Sequence, residues 1–356
     1  MLPQFDFCTR PWSDLFLHNS GRIQPCCMNS TSLGNIRQHN INDIWNGDRI
    51  KQIRASLLKK EYAEAGCKTG CPVQHQLEQG IQSYSASFDW ENSARAGDCF
   101  GKNFEMFRQG LDQRLLHVSH LPLWVDVQPT EACNMACIMC HQQHRKKERI
   151  PSELITRFLD WTKAMHTLRF QGGEIFIDPE ISSSLLKLKC QLKPHQQLHV
   201  ITNGSLINEK SICELMAPPN PIRFTVSIDA VEPEIYKKIR QSSFFHRAWK
   251  TMTLMAELQK NMGRNDVVQW NYVVMKSNFH QIEQAVRIAA EIGINIYFQP
   301  IIGSYPGENI FDNPSIRPEG ALEQIERCRQ LASALSAPNA SLEYVCRQLR
   351  LPQHEK

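Results

Sequence analysis

Cys133, Cys137 and Cys140 stand within the stretch EACNMACIMCHQQH (131–144), with no fourth cysteine close by. Thiolates are soft ligands, suited to zinc and to iron–sulfur clusters alike. A structural zinc ion is ordinarily closed by four ligands, so His141 or His144 would have to complete such a site. A 4Fe–4S cluster held by three cysteines instead leaves one iron open to a small molecule. A second group of thiols, Cys8, Cys26, Cys27, Cys67 and Cys71, crowds the start of the chain. Four of these suffice to close either a zinc knuckle or a further 4Fe–4S cluster. Cys99, Cys190, Cys213, Cys328 and Cys346 lie singly. They are expected to be packing residues, since an isolated cysteine behaves as a small hydrophobe.

Ligands of this kind need rigid elements to hold them. Six short segments rich in β-branched and aromatic residues recur from residue 123 onward: 123–129, 166–171, 197–203, 222–229, 267–275 and 294–302. Each is bounded by Gly, Pro, Asn or Asp, as strands are. Helical patterns fill the gaps, among them 151–165, 179–192, 206–216, 244–262 and 278–293. In the last, Ile282, Ala285, Val286, Ala289 and Ala290 share one face and Gly293 supplies the stop. Strands alternating with helices predict an α/β fold of parallel βα units, either doubly wound or a barrel. Both architectures place their chemistry at the C-terminal strand ends. The cysteine triplet directly follows the first of these strands, and Gly172-Gly173-Glu174 directly follows the second.

The pattern C-x3-C-x2-C after a strand, with GGE after the next, resembles the signature of the radical S-adenosylmethionine (radical SAM) superfamily. The resemblance covers residues 121–302 and implies a partial (β/α)6 barrel. It also implies a 4Fe–4S cluster on Cys133, Cys137 and Cys140 whose open iron is chelated by S-adenosyl-L-methionine, and reductive cleavage of that cofactor to a 5′-deoxyadenosyl radical. On the same basis Gly172, Gly173 and Glu174 would meet the cofactor's α-amino group. Asn203 in ITNGS, with Ser227 and Asp229 in VSIDA, would form further cofactor wall. Arg240 would pair with its carboxylate, a task that suits a bidentate guanidinium. Met139 departs from the family, which often has an aromatic residue before the third cysteine; methionine offers a soft apolar contact in its place.

The opening cysteines, with Gly21 separated from Cys26 by four residues and with LGNI, IW and Arg54 following, resemble the auxiliary-cluster module of SPASM and twitch radical SAM enzymes. The resemblance implies one auxiliary 4Fe–4S cluster on Cys8, Cys26, Cys67 and Cys71, with Cys27 an alternative to Cys26. The second, cysteine-dense half of a full SPASM module is absent, and the module precedes the barrel instead of following it. The expected organisation is therefore a twitch-like domain over 1–90, a polar connector over 91–120, the core over 121–302, and a C-terminal loop and helices over 303–356.

With 356 residues, a net charge of +4 and 42% hydrophobic residues, the chain has an ordinary globular composition. No apolar run approaches the ~18–20 residues of a membrane span, and no signal-peptide pattern opens the sequence. The charge is too mild to point to nucleic acid. A cytoplasmic oxidoreductase is expected, abstracting hydrogen from a peptide or a sugar- or cyclitol-like substrate, with oxidation or cross-linking as the outcome. Epimerisation, methyl transfer and a non-catalytic iron–sulfur role are the alternatives. No catalytic residue is assigned; Tyr236, His246, Tyr272, Tyr297 and Gln299 are candidates to line the substrate pocket. The basic run His144, Arg145, Lys146, Lys147 and Arg149 suggests docking of an acidic flavodoxin or ferredoxin as electron donor.

Overall fold

The computed structural model describes residues 5–78, 80, 90–94, 98–142, 149–151, 164–335 and 340–350. The chain divides into two compact units, Met1–Ala132 with Lys146–His199, and Cys133–Arg145 with Val200–Lys356. Among the described residues, no helix is long and apolar enough to cross a membrane.

The first unit contains strands β1 (Asp14–Leu17), β2 (Arg22–Gln24), β3 (Gly34–Asn35), β4 (Trp124–Val127) and β5 (Thr167–Phe170), in the order β3-β2-β1-β4-β5. β1 pairs antiparallel with β2 but parallel with β4, and β4 pairs parallel with β5. Leu15, Val125 and Leu168 are in register, as are Leu17, Val127 and Phe170, so one face is apolar. On the other, Asp126 is opposite Arg169 and takes two hydrogen bonds from its guanidinium at 2.7 and 2.8 Å. The N-terminal region therefore supplies three short strands to this sheet. Strands of two to four residues are too short to display a period.

Residues 91–120 are also more than a polar connector. Asp98 caps a helix over Cys99–Asp112 that buries Phe100, Phe104 and Phe107. Trp90 meets Phe107 edge-on, with centroids 5.8 Å apart. The segment after this helix is gripped by the N-terminal region. Trp12 donates its indole N–H to Leu115 O, Trp45 donates to His120 O, and Arg54 donates to Pro11 O and Leu116 O. Asn46 and Val118 exchange two hydrogen bonds of 2.9 Å. Ile-Trp and Arg54 of the module are thus structural clamps.

β6 (Gln197–Thr202) runs from the first unit's segment into the second. The second unit continues with β7 (Arg223–Ser227), β8 (Val268–Val274) and β9 (Asn295–Pro300), parallel and in that order. Helices over Glu209–Met216, Pro233–Arg240, Phe245–Asn261 and Ile282–Ile292 alternate with them. This is the parallel α/β pattern that the sequence predicts. Helix Ile282–Ile292 buries Ile282, Ala285, Val286 and Ala289, and Gly293 ends it at φ +71°. That left-handed conformation costs glycine little.

Alternation gives β7–β9 two unlike faces. Phe224, Val226, Trp270, Tyr272, Ile296 and Phe298 are buried on one. The other carries Ser227, Gln269, Asn271, Val273, Tyr297 and Gln299; Ser227, Asn271 and Tyr297 are in register, and Gln299 is opposite Val273. Most of the expected helix over 151–165, and His144–Lys147 of the basic run, lie outside the described residues.

Candidate metal centres

In the second unit the triplet loop is tied down along its length. Ile138 N–H donates to Ile239 O at 2.9 Å, and Tyr305 O–H to Met139 O at 2.7 Å. Tyr236 O–H lies 3.7 Å from Met135 Sδ. Ile138 and Met139 pack against Ile239, Met275 and Ile301, so Met139 anchors the loop to the core. Cys137 is buried, while Cys133 and Cys140 are half-buried.

Asn203 ends β6 as a clasp. Its Nδ2 donates to Asn134 Oδ1 at 2.9 Å and stands 4.0 Å from Cys133 Sγ. Its Oδ1 accepts from the Ser205 amide and hydroxyl, and Asn134 Nδ2 donates to Ser205 Oγ. Ser227 ends β7, opposite Asn271 of β8.

Arg240 closes the helix that follows β7 and turns inward. Its Nη1 donates to Cys137 Sγ at 3.7 Å, and its Nη2 stands 2.6 Å from Asp229 Oδ2. Asp229 is 0% exposed, and its Oδ1 accepts from Val273 N–H at 2.8 Å. Burial pushes the Asp229 carboxyl up, and Arg240 pulls it back. Burial likewise raises the Cys137 thiol, against Arg240. Burial works against the Arg240 charge too, yet Asp229 and Cys137 hold its pKa above the usual value. The pair is an intimate ion contact off the hydrogen-bond line. Among the described residues, Asp229 Oδ2 has no aligned donor and the buried Arg240 Nε has no acceptor. Asp229, expected in the cofactor wall, and Arg240, expected to pair with the cofactor carboxylate, stand together as a coupled pair against Cys137.

In the first unit, Gly172 and Gly173 make the turn after β5. A Cβ on Gly173 would stand 2.0 Å from Ala132 O, and one on Gly172 2.5 Å from Thr130 O, at φ +148°. Gly173 N–H donates to Thr130 O and Glu174 N–H to Ala132 O. The close approach that demands glycine is therefore to the chain's own 130–132 segment. Glu174 is fully buried, and its carboxylate accepts from Phe176 N–H, capping a 3-10 turn over Ile175–Ile177.

The N-terminal thiols are gathered by a second set of backbone ties. Lys68 N–H donates to Met28 O, Asn29 bridges to Cys67, and Asn29 Nδ2 donates to Ala65 O. These ties set residues 26–29 beside 65–71. Gly66, at φ +77°, makes the turn; a Cβ there would meet Thr31 Oγ1 at 2.2 Å. Cys8 packs with Ile53, Leu57 and Ala65, against partly buried Cys67. Burial pushes Cys8 up to about 12, with Cys71 and Cys67 adding to the rise. Burial and then Cys71 push Cys67 up to about 11. Cys26 is raised by burial, lowered by Arg10, and raised again by Cys27 and Cys8. Cys8 thus senses Cys67 and Cys71, Cys26 senses Cys8 and Cys27, and Cys27 senses Cys71, with the Arg10 guanidinium beside Cys8, Cys26 and Cys27 and 3.4 Å from Asp14. Cys27 is exposed.

Both donor sets are all-thiol, which suits iron–sulfur ligation. Among the described residues, no group of three or more His, Cys, Asp or Glu side chains is drawn together as the ligands of a metal ion. His141 is exposed, and His144 lies outside the described residues.

Sequence reasoning missed Asn134, Ser205, Tyr305, Asn29 and Arg10. The Asn-Gly-Ser turn was the available signal for Ser205. Tyr236 and Tyr272 are fully buried, and Tyr272 donates to Asn278 O. His246 is exposed on a helix. Of the pocket candidates, Tyr297 and Gln299 alone share the polar face of β9. Cys328 and Cys346 are buried as expected, but Cys99, Cys190 and Cys213 are exposed.

The radical SAM superfamily model matches residues 127–312, and the SPASM iron–sulfur cluster-binding domain matches residues 8–72. A GTP 3′,8-cyclase of Desulforamulus reducens is 23% identical over 182 residues, 49% of this chain and 54% of that protein. The antilisterial bacteriocin subtilosin biosynthesis protein AlbA of Bacillus subtilis is 26% identical over 143 residues, 38% of this chain and 31% of that protein. The chain thus spans about half the length of the first relative and less of the second. Streptococcus suis SuiB bound to S-adenosylmethionine aligns at 13% identity and a TM-score of 0.47, over 90% of this chain and 68% of that one. The superfamily match covers more than half of the sequence and takes in the triplet, GGE, Asn203 and the Asp229–Arg240 pair. The chain belongs to the radical SAM superfamily, whose SAM-binding 4Fe–4S cluster it joins to a SPASM-type domain for an auxiliary iron–sulfur cluster.

Proposed function

We propose that Cys133, Cys137 and Cys140 hold the SAM-binding cluster, and that Cys8, Cys26, Cys67 and Cys71 hold the auxiliary one. The enzyme then abstracts hydrogen from a C–H bond of a peptide or a small sugar- or cyclitol-like substrate, with oxidation or cross-linking as the outcome. One observation carries the reading: three thiols on a loop pinned at Met135, Ile138 and Met139, with the buried Arg240 Nε–H unspent beside Cys137. Bound S-adenosylmethionine and its cluster supply a strong hydrogen-atom abstractor on one-electron reduction; the polypeptide supplies position and shielding.

In the second unit, Asn203 fixes the loop at Cys133, Arg240 fixes Cys137, and Ser227 and Asp229 offer polar groups at the end of β7. In the first, Gly172 and Gly173 let the turn close on 130–132, and Glu174 offers a carboxylate for an ammonium. The half-buried face of β7–β9 favours a peptide. Ser227, Gln269, Asn271, Tyr297 and Gln299 carry hydrogen-bonding groups without charge, which suits main-chain amides better than a triphosphate. The likeness to a bacteriocin-biosynthesis protein supports the same choice.

Anaerobically reconstituted protein should contain about eight irons, as two 4Fe–4S clusters require, and release 5′-deoxyadenosine under strong reductant. Cys137→Ala should abolish the nucleoside. Cys71→Ala should lose about half the iron while keeping cofactor cleavage. A wild type that makes no nucleoside would sink the assignment, and stoichiometric zinc lost in Cys71→Ala would sink the auxiliary cluster. S-adenosylhomocysteine among the products would replace the redox outcome with methyl transfer.

A further inference from the structure

We propose that Arg240 is a positioning residue that sets the reduction potential of the SAM-binding cluster by donating to Cys137 Sγ, with Asp229 holding it in place. The inference rests on the cluster assignment above and adds a role that contact with the cofactor alone does not require.

Arg240 stands between an anion and a thiol, 2.6 Å from Asp229 Oδ2 and 3.7 Å from Cys137 Sγ. Its side chain is 9% exposed and that of Asp229 is 0% exposed, so water screens the arrangement little. The anion is itself fixed. Asp229 Oδ1 accepts from Val273 N–H of β8, and its carbonyl accepts from Asn278 Nδ2 at 2.8 Å. The helix that carries Arg240 is stitched to the triplet loop one residue away on each side, Ile239 O accepting from Ile138 N–H. Donor and sulfur therefore cannot drift apart without breaking both ties.

The direction of the effect follows from charge. Reduction adds an electron to an assembly whose thiolates are already negative. A cationic N–H aimed at one sulfur stabilises the reduced form more than the oxidised form, and hydrogen bonds to cluster sulfurs are among the factors that set such potentials. Asp229 opposes this effect from behind, but Arg240 presents the positive end of the pair to the sulfur. A guanidinium can serve both partners with separate nitrogens, whereas lysine is a single point charge. Arg240→Lys should therefore recover only part of the effect.

The test is an EPR-monitored redox titration of the reconstituted full chain. The SAM-binding cluster is recognised as the signal that changes on adding S-adenosylmethionine, and the auxiliary signal serves as internal control. In Arg240→Gln the reduced-to-oxidised ratio at a fixed solution potential should fall about tenfold, equivalent to ~59 mV for a one-electron couple. Arg240→Lys should fall between that variant and wild type, and the auxiliary midpoint should not move. Full iron with an unshifted midpoint in Arg240→Gln would overturn the inference. If Arg240→Gln fails to assemble, Arg240→Lys decides: a lowered midpoint supports the role, and a wild-type midpoint overturns it. A wild-type spectrum indifferent to S-adenosylmethionine would overturn the cluster assignment and this inference together. A responsive wild type with unshifted variants would overturn the inference alone.

Discussion

Gly173 and Asn203 show how contacts within the chain constrain a residue type. Any Cβ at Gly173 would collide with the Ala132 carbonyl, a backbone atom that cannot swing aside as a flexible side chain would. Gly173→Ala should therefore cost about 2 kcal/mol or more, as overpacking does, with a lowered urea midpoint as the measure; an unchanged midpoint would show that the turn relaxes freely. Asn203 is fully engaged with Asn134, Ser205 and the neighbourhood of Cys133. Its part is to orient the thiol loop. These motif residues were legible in the sequence as important, because glycine pairs and Asn-Gly turns mark special backbone. What each one touches was not, since the partners lie up to 70 positions away.

The helix over Cys99–Asp112 is the element least visible beforehand. Its sequence, CFGKNFEMFRQGLD, contains two glycines and many polar residues, which lower its helical propensity. Burial of one aromatic stripe outweighs that cost. Phe107 is fully buried and meets Trp90 and His120 edge-on, whereas Met106 on the next position is 37% exposed. Phe107→Ala should destabilise by about 3–5 kcal/mol and Met106→Ala by less than about 0.5 kcal/mol. Equal effects in denaturant melts would contradict the face assigned to this helix. The strands from residue 123 onward were legible for the opposite reason: each pairs hydrophobic runs with clear turn residues, and β8 alternates buried and half-buried positions along its length.

For the molecule as a whole, acid sensitivity has an identifiable source in the first unit. His120 is 1% exposed, and burial, with Arg54 adding to it, draws its pKa from 6.5 down to about 4. Below pH 6.5 the unfolded chain binds a proton that the folded chain refuses, so stability falls as pH drops, until the folded group also titrates near 4. Across that window the loss is about 3 kcal/mol, at 1.36 kcal/mol per pKa unit. His120→Gln should flatten the dependence in melts between pH 6.5 and 4, and an unaltered slope would assign it to other groups. The sequence by itself determined the chemistry, because cysteine spacing, GGE and the alternation of strands and helices are local patterns that survive without coordinates. Tertiary structure alone decided that β1 pairs with β4, that Asn29 draws Cys26 towards Cys67, and that Asp229 and Arg240 form one unit against Cys137. Those contacts join residues far apart in the chain, and burial, not sequence distance, sets their energies.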